Sequence, residues 1–463
     1  MKTILLLILT MAISISSWQL FNKADEAQQL RKIYDEALTN AECYDNLHHL
    51  CKNIGTRLSG SPGAAAAVEW ARQVLTTIGA DTVYLQETMV PHWVRGAKED
   101  ARIISKHIGW QSVNVCALGN SIGTGKWGIT APIIEIKHLE DLDKLGKKGV
   151  KGKIVFLNHP MDEKHIDTFD AYSGCAGDRY AGAAAVAKHE GVAFVLRSLG
   201  TGIDEFPHTG NMAYKEGIAK IPAAAIATRD AELLSGIISV DPETTFHLNM
   251  QCETLPDELS HNVIAEIKGS EKPDEIIMVS GHIDAWDNGE GAHDDGSGVV
   301  QSMEVLRIFK SLGISPKRTI RCVLYMNEEN GQRGAKTYAQ AAEAANENCL
   351  MAIESDRGGF TPRGFTVDAE ETLLADKLGA VQRFLPLLLP YNIHFIEKGF
   401  SGVDIKHLKP QKVTCIGLVP DSQRYFDYHH TPNDTFDKVN KRELNMGAAA
   451  MASLMYLVSE HGL

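Results

Sequence analysis

Apolar and polar positions along this chain follow two periods, and the switches between them mark its elements. From about residue 24 to 53, apolar residues recur at helical spacing with charged residues between them. A Gly/Pro/Ser loop, GTRLSGSPGA, leads into AAAVEWARQVLTTIG, which reads as a helix stopped by Gly79. VYLQETMVPHWVRG alternates as a strand does, and Pro91 is expected to end it. Between about Asn120 and Met250 the texture changes to short strands (GKWGITAPIIEI, VKGKIVFLN) and Ala-rich helices (AGAAAVAKHEG, then ATRDAELLSGII). From Asp257 the alternation strengthens: strands at NVIAEIKG, DEIIMVSG, RTIRCVLYM and LMAIESD are separated by helical patterns. A helix is expected over ETLLADKLGAVQRFLPLLL up to Pro390, and a last one over RELNMGAAAMASLMYLVSEHG.

Alternating strands and helices predict an α/β fold: a mixed, mostly parallel sheet flanked by helices. The compositional break predicts a second α/β unit inserted at 120–250, with the main domain in two segments, 18–119 and 251–463. The first residues, Met-Lys-Thr and then ILLLILTMAISISS, have the charged and apolar regions of a secretory signal peptide, which we place at 1–17. Export to a secreted or periplasmic location is therefore expected, and no later stretch is apolar for long enough to span a membrane.

A chain of 463 residues, 44% hydrophobic and 23% charged, has room for two or three domains with a sizeable core. Its formal charge of −13 argues against a nucleic-acid partner. The eight cysteines include no CxxC, which excludes a thiolate zinc knuckle, and their pairing cannot be read from spacing.

The chemistry gathers where predicted strands end. His282 and Asp284 close one strand, and the loop after it carries His293, Asp294 and Asp295. Glu328 and Glu329 follow VLYMN, Asp356 follows MAIES, and YFDYHHTPNDTFDKV supplies His429 and His430. Each has an ordinary reading alone: Asp-Asp-Gly is most often a turn, and Glu-Glu is usually a solvated helix start. Together they sit on the side of the sheet where α/β folds bind ligands. Mixed nitrogen and oxygen donors in this number suit a dinuclear zinc site with one bridging carboxylate.

The pieces GHIDAWD, DDGSG, EENG, ESDRGG and HHTPNDT, in this order, resemble the di-zinc aminopeptidase and carboxypeptidase Q family of co-catalytic metallopeptidases. LSGSPGA, MVPHWVRG and PHTGNMAY bring the chain closer to the carboxypeptidase Q branch. The resemblance covers nearly all of the chain beyond its first residues. It implies two Zn2+ per chain, with His282 and Glu329 as terminal ligands on different ions, Asp294 bridging, and Asp356 and His430 completing the two sets. It also implies Glu328 as general base toward the attacking water, and Asp284 as the acid that orients His282 through its ring N–H. His430 is preferred to His429 because it begins the family's HxxxDT, which ends here at Asp434. A cis peptide is implied at Asp294–Asp295, a protease-associated, lid-like character for the insert, and a homodimer that no residue pattern here tests. His293 reads as a wall residue, and Asp287 and Glu290 as acids that shape the loop.

The activity implied is an exopeptidase cutting short peptides with free termini, dipeptides foremost. A broad aminopeptidase on the same scaffold is the near alternative. A non-catalytic binding protein that keeps the fold, and a one-zinc glutaminyl cyclase relative, are the more distant ones.

Overall fold

The computed structural model describes residues 24–463. The expected signal peptide lies outside the described residues. Among those described, no helix is long and apolar enough to cross a membrane.

The strands form two eight-stranded sheets. At the centre of the first, Arg318–Tyr325, Lys272–His282, Asn348–Glu354 and Thr414–Pro420 run parallel and side by side. Every residue of Arg318–Tyr325 is buried, and its two arginines are matched there by Glu275, Glu266 and Glu347. Antiparallel neighbours flank this centre: Glu253–Ile267 with Thr82–Val94 on one side, and Pro362–Asp368 on the other. The fold class is thus the mixed, helix-flanked α/β sheet expected. Successive side chains of a strand enter opposite cores. Ile277 and Val279 pack with the helices Pro62–Ile78, Ser297–Ser311 and Lys441–His461, while Met278 packs with Arg333–Ala344 on the other face. Asn440 starts the last helix by accepting the N–H groups of Arg442 and Glu443 at 2.9 and 3.2 Å.

Four expectations need correction. Pro91 does not end its strand: Thr82–Val94 continues through it with a register shift between Val90 and His92, as an edge strand with a bulge allows. The helical stretch 24–53 is broken, with a helix over 24–39 and then Cys43–His48 running into a wider turn, His49–Ile54. The helix expected up to Pro390 stops at Gln382, and a short turn of helix follows over Leu385–Leu388. The start of the second unit also moves, because Asp100–Ser105, Gly109–Val113 and Val115–Ala117 belong to the second sheet rather than the first. That sheet curls round: Val113 pairs with Ala101 near one edge, and Val115, two residues on, pairs with Ile226 near the other. Its parallel centre is Ile129–Ile136, Ile154–Leu157, Ala193–Arg197 and Ala223–Ile226. All eight cysteines are free thiols.

Candidate metal centre

The strand Lys272–His282 ends with His282 almost fully buried. Its ring Nδ1 lies 3.0 Å from the backbone carbonyl of Asp284. A carbonyl only accepts, so Nδ1 carries the proton and the Nε2 lone pair is left for a ligand. Nε2 faces Asp294 Oδ1 at 3.2 Å and Asp356 Oδ1 at 3.3 Å. Across the cluster, His430 Nε2 lies 3.2 Å from Asp294 Oδ2 and 3.2 Å from Glu329 Oε2. Asp294 therefore presents one oxygen to His282 and Asp356 and the other to His430 and Glu329.

The loop bearing Asp294 is pinned from several directions. Asp434 accepts the N–H groups of His293 and Asp294 at 2.8 and 3.1 Å. Arg57, fully buried, donates to the carbonyls of Ile283, Glu290 and Gly291 at 2.8, 2.6 and 2.7 Å. Sequence reasoning missed Arg57, since a lone arginine in a polar loop gives no sign of burial. Asp287 pairs with Arg95 and Glu290 with Lys52, both at 2.6 Å, as loop-shaping acids do. The Asp294–Asp295 peptide is cis.

Asp295 lies close enough to His282 and Asp356 to join a metal-binding group with them. Both of its oxygens are already engaged, by His282 N at 3.0 Å and Gly298 N at 2.9 Å. Gly298 itself has no space for a side chain, because a Cβ would stand 1.9 Å from the Ser355 carbonyl.

Asp284 departs from the role implied for it. Its backbone carbonyl, not its carboxylate, meets His282 Nδ1, and the nearer carboxylate oxygen stands 3.8 Å away. The carboxylate instead accepts Glu328 N at 3.0 Å and Glu329 N at 3.4 Å, so it holds the turn that carries both glutamates. Glu329 Oε1 accepts from Trp286 N at 3.2 Å, while Glu328 lines the cleft. His429 stacks on His430 with ring centroids 3.5 Å apart, and its Nε2 is 3.8 Å from Asp294 Oδ2, farther than His430. The His430 backbone is in the left-handed region at φ 62° and is clasped by Thr209, whose N–H donates to its carbonyl at 3.0 Å. His293, expected as a wall residue, is fully buried between Phe360 and Tyr428 and is not among the residues that line the cleft.

Burial pushes the Glu328 carboxyl well above the ordinary range, with Asp356 and Glu329 adding to it, and pushes Glu329 to about 7. Burial acts the same way on Asp294, but the imidazoles of His282 and His430 beside it pull it well below. Burial alone would lower the pKa of His282, but the carboxylates of Asp356, Asp294 and Asp295 together outweigh it and raise the pKa well above the ordinary value. Among the described residues, Asp284, Asp294, Glu329 and Asp356 have histidines within ion-pair distance but no Lys or Arg. So much buried negative charge is unfavourable without cations. His282 Nε2 and Asp294 Oδ2 are buried and lack a hydrogen-bond partner, as atoms kept for a metal would be. With two imidazoles and carboxylate oxygens, the donor set fits zinc.

Residues 262–455 match the family model Peptidase family M28. Carboxypeptidase Q from Bos taurus is 35% identical over 90% of this chain and 85% of its own length. Carboxypeptidase Q from Homo sapiens is likewise 35% identical, with the same coverage of both chains. The crystal structure of a peptidase M28 precursor from Shewanella amazonensis SB2B is 35% identical and superposes with a TM-score of 0.88, covering 94% of this chain and 97% of that one. A zinc aminopeptidase from Bacillus subtilis shares the fold at 17% identity, with a TM-score of 0.65 over 90% of this chain and 94% of that one. The chain belongs to peptidase family M28 and is a metallopeptidase homologous to carboxypeptidase Q over nine-tenths of its length.

Proposed function

We propose that the chain is an exported di-zinc exopeptidase that hydrolyses short peptides with free ends, dipeptides foremost. The observation that carries this is the placing of Asp294, with one oxygen toward His282 and Asp356 and the other toward His430 and Glu329. In this reading His282, Asp294 and Asp356 hold one zinc, and Glu329, Asp294 and His430 hold the second. Zinc held there supplies Lewis acidity toward a peptide carbonyl and lowers the pKa of a water.

The chain's own residues do the rest. Glu328, in the cleft and with a carboxyl that binds protons readily, takes the proton from the attacking water and passes it to the leaving amine. Asp284 fixes the peptide N–H groups of Glu328 and Glu329, so base and ligand keep their spacing. The second sheet's unit, residues 100–249 and so wider than 120–250, serves as the lid-like wall. Its helix Thr168–Lys188 lines the cleft, and its Thr209 holds His430.

Homology to carboxypeptidase Q supports the dipeptidase or carboxypeptidase mode over the aminopeptidase mode. Convergence of five donors and a base speaks against a non-catalytic binding protein, and a bridging carboxylate speaks against a one-zinc cyclase. The homodimer and the removal of residues 1–17 belong to the same reading; sedimentation and N-terminal sequencing of the exported protein test them. The decisive assay is turnover on free dipeptides, aminoacyl arylamides and C-terminally blocked peptides. Free dipeptides are expected to be cut fastest. Faster turnover of the arylamides and blocked peptides would favour the aminopeptidase instead.

A further inference from the structure

In front of the cluster lies a cleft of about 770 Å³, walled on one side by the helix Thr168–Lys188. Arg179, Arg357 and Lys398 are the cations that line it. Lys398 is matched by Glu371 at 3.3 Å. Arg357 donates to the Phe400 carbonyl at 3.1 Å, lies over the Phe169 ring and has the charges of Asp167 and Asp356 near it. Arg179 is different. It is 9% exposed, and among the described residues no carboxylate comes within ion-pair distance of it. Its one hydrogen bond there is a long one, from Nε to the Asn211 carbonyl at 3.4 Å. A guanidinium has five N–H donors, and those of Arg179 other than Nε have no protein partner among the described residues, nor are they sealed from the cleft that the side chain lines.

The surroundings are shaped to this side chain. Gly210 lies against the guanidinium at φ 138°, where a Cβ would stand 2.5 Å from Arg179 Cζ. Arg179 sits over the Tyr172 ring, 5.5 Å from its centroid, and Tyr172 meets the His429 ring at 5.0 Å. His429 in turn stacks on His430, which faces Asp294 and Glu329. A chain of ring contacts through Tyr172, His429 and His430 thus joins the cation to the carboxylate cluster, and both line one cleft.

We propose that Arg179 is the residue that binds a carboxylate of the peptide substrate, the chain-terminal one in a dipeptide. A dipeptide carries its terminal carboxylate one residue past the scissile bond, about 3.5 Å of chain. A planar guanidinium suits two-point contact with that group and repels a substrate ammonium. The assignment rests on the peptidase reading above and narrows it: the free carboxyl end lies toward the helix Thr168–Lys188, so cleavage falls next to the C-terminal residue.

The test compares zinc-loaded, full-length wild type, Arg179→Met and Arg179→Lys on a neutral dipeptide, as the free acid and as the amide. A Glu-containing and a Gln-containing dipeptide amide test the side-chain carboxylate separately. Wild type is expected to favour the free acid, and Arg179→Met to lose about 30-fold in kcat/KM on it while staying within about twofold on the amide, with partial recovery in Arg179→Lys. Calorimetry of the same free acid and amide with Glu328→Gln, alone and combined with Arg179→Met, gives the binding fold-change without turnover. A selective loss on the Glu-containing amide alone assigns Arg179 to a side-chain carboxylate instead. Equal loss on acid and amide, or a wild type indifferent to the terminal charge, overturns the proposal. If wild type turned over no peptide, the peptidase reading would fail, and calorimetry would still decide whether Arg179 binds carboxylate.

Discussion

Arg57 is the residue whose removal most directly asks whether the metal-bearing loop is held from outside the ligand set. Replacement by Met takes away donors to the carbonyls of Ile283, Glu290 and Gly291, all closer than 2.9 Å. Hydrogen bonds from a charged group contribute about 1.5–3 kcal/mol each, which sums to roughly 4–9 kcal/mol for this set. Relief of a buried, desolvated cation offsets several kcal/mol of that, leaving a net destabilisation of about 2–4 kcal/mol. Urea unfolding of the chelated protein should therefore shift to a lower midpoint with the slope unchanged. Glu290 and Gly291 lead directly into Asp294, so zinc affinity should fall as well, by about 10–100-fold as when a metal ligand's supports are removed. Arg57→Lys should recover only part of both, since one ammonium cannot reach carbonyls spread across this loop. A midpoint and a zinc affinity equal to wild type in Arg57→Met would refute the reasoning.

Glu328→Gln should lose about 10²–10⁴-fold in kcat with zinc content unchanged by elemental analysis; near-normal turnover would remove Glu328 from the mechanism. His430→Ala should lower zinc content, whereas His429→Ala, whose ring is farther from Asp294, should leave it close to wild type. In the chelated protein, burial holds the carboxyls of Glu329 and Glu354 at about 7. The unfolded chain releases those protons near pH ~4.3. The folded state binds the extra protons, so this stability is complete below the unfolded value and is lost as pH rises toward 7. Tm of the metal-free protein should therefore fall between about pH 5 and pH 8; a rise over that range would contradict the burial of these acids.

The ligand cluster was legible because each member ends or follows a strand of an α/β sheet, where few residue types have structural reason to gather. Its supports were less so. Both readings of Asp284 put it beside His282, and only geometry separates a carbonyl that orients the ring from a carboxylate that holds Glu328 and Glu329. Arg57 was hidden because burial of a loop arginine depends on distant carbonyls rather than on local pattern. The second unit's true start escaped because strands such as Asp100–Ser105 alternate in the same way as those of the first sheet. Which sheet they join is set by pairing with Thr245–Asn249, more than a hundred residues away. Short strands such as Phe395–Lys398 carry too few residues to show a period.

Zinc stoichiometry measured side by side on wild type and Asp294→Ala addresses the shared carboxylate most directly. Asp294 turns one oxygen toward each half of the cluster, so wild type should hold about two zinc ions per chain. Asp294→Ala should bind both weakly enough to lose them on dialysis. A wild type that holds a single zinc, or an Asp294→Ala variant that keeps two, would contradict Asp294 as the bridge.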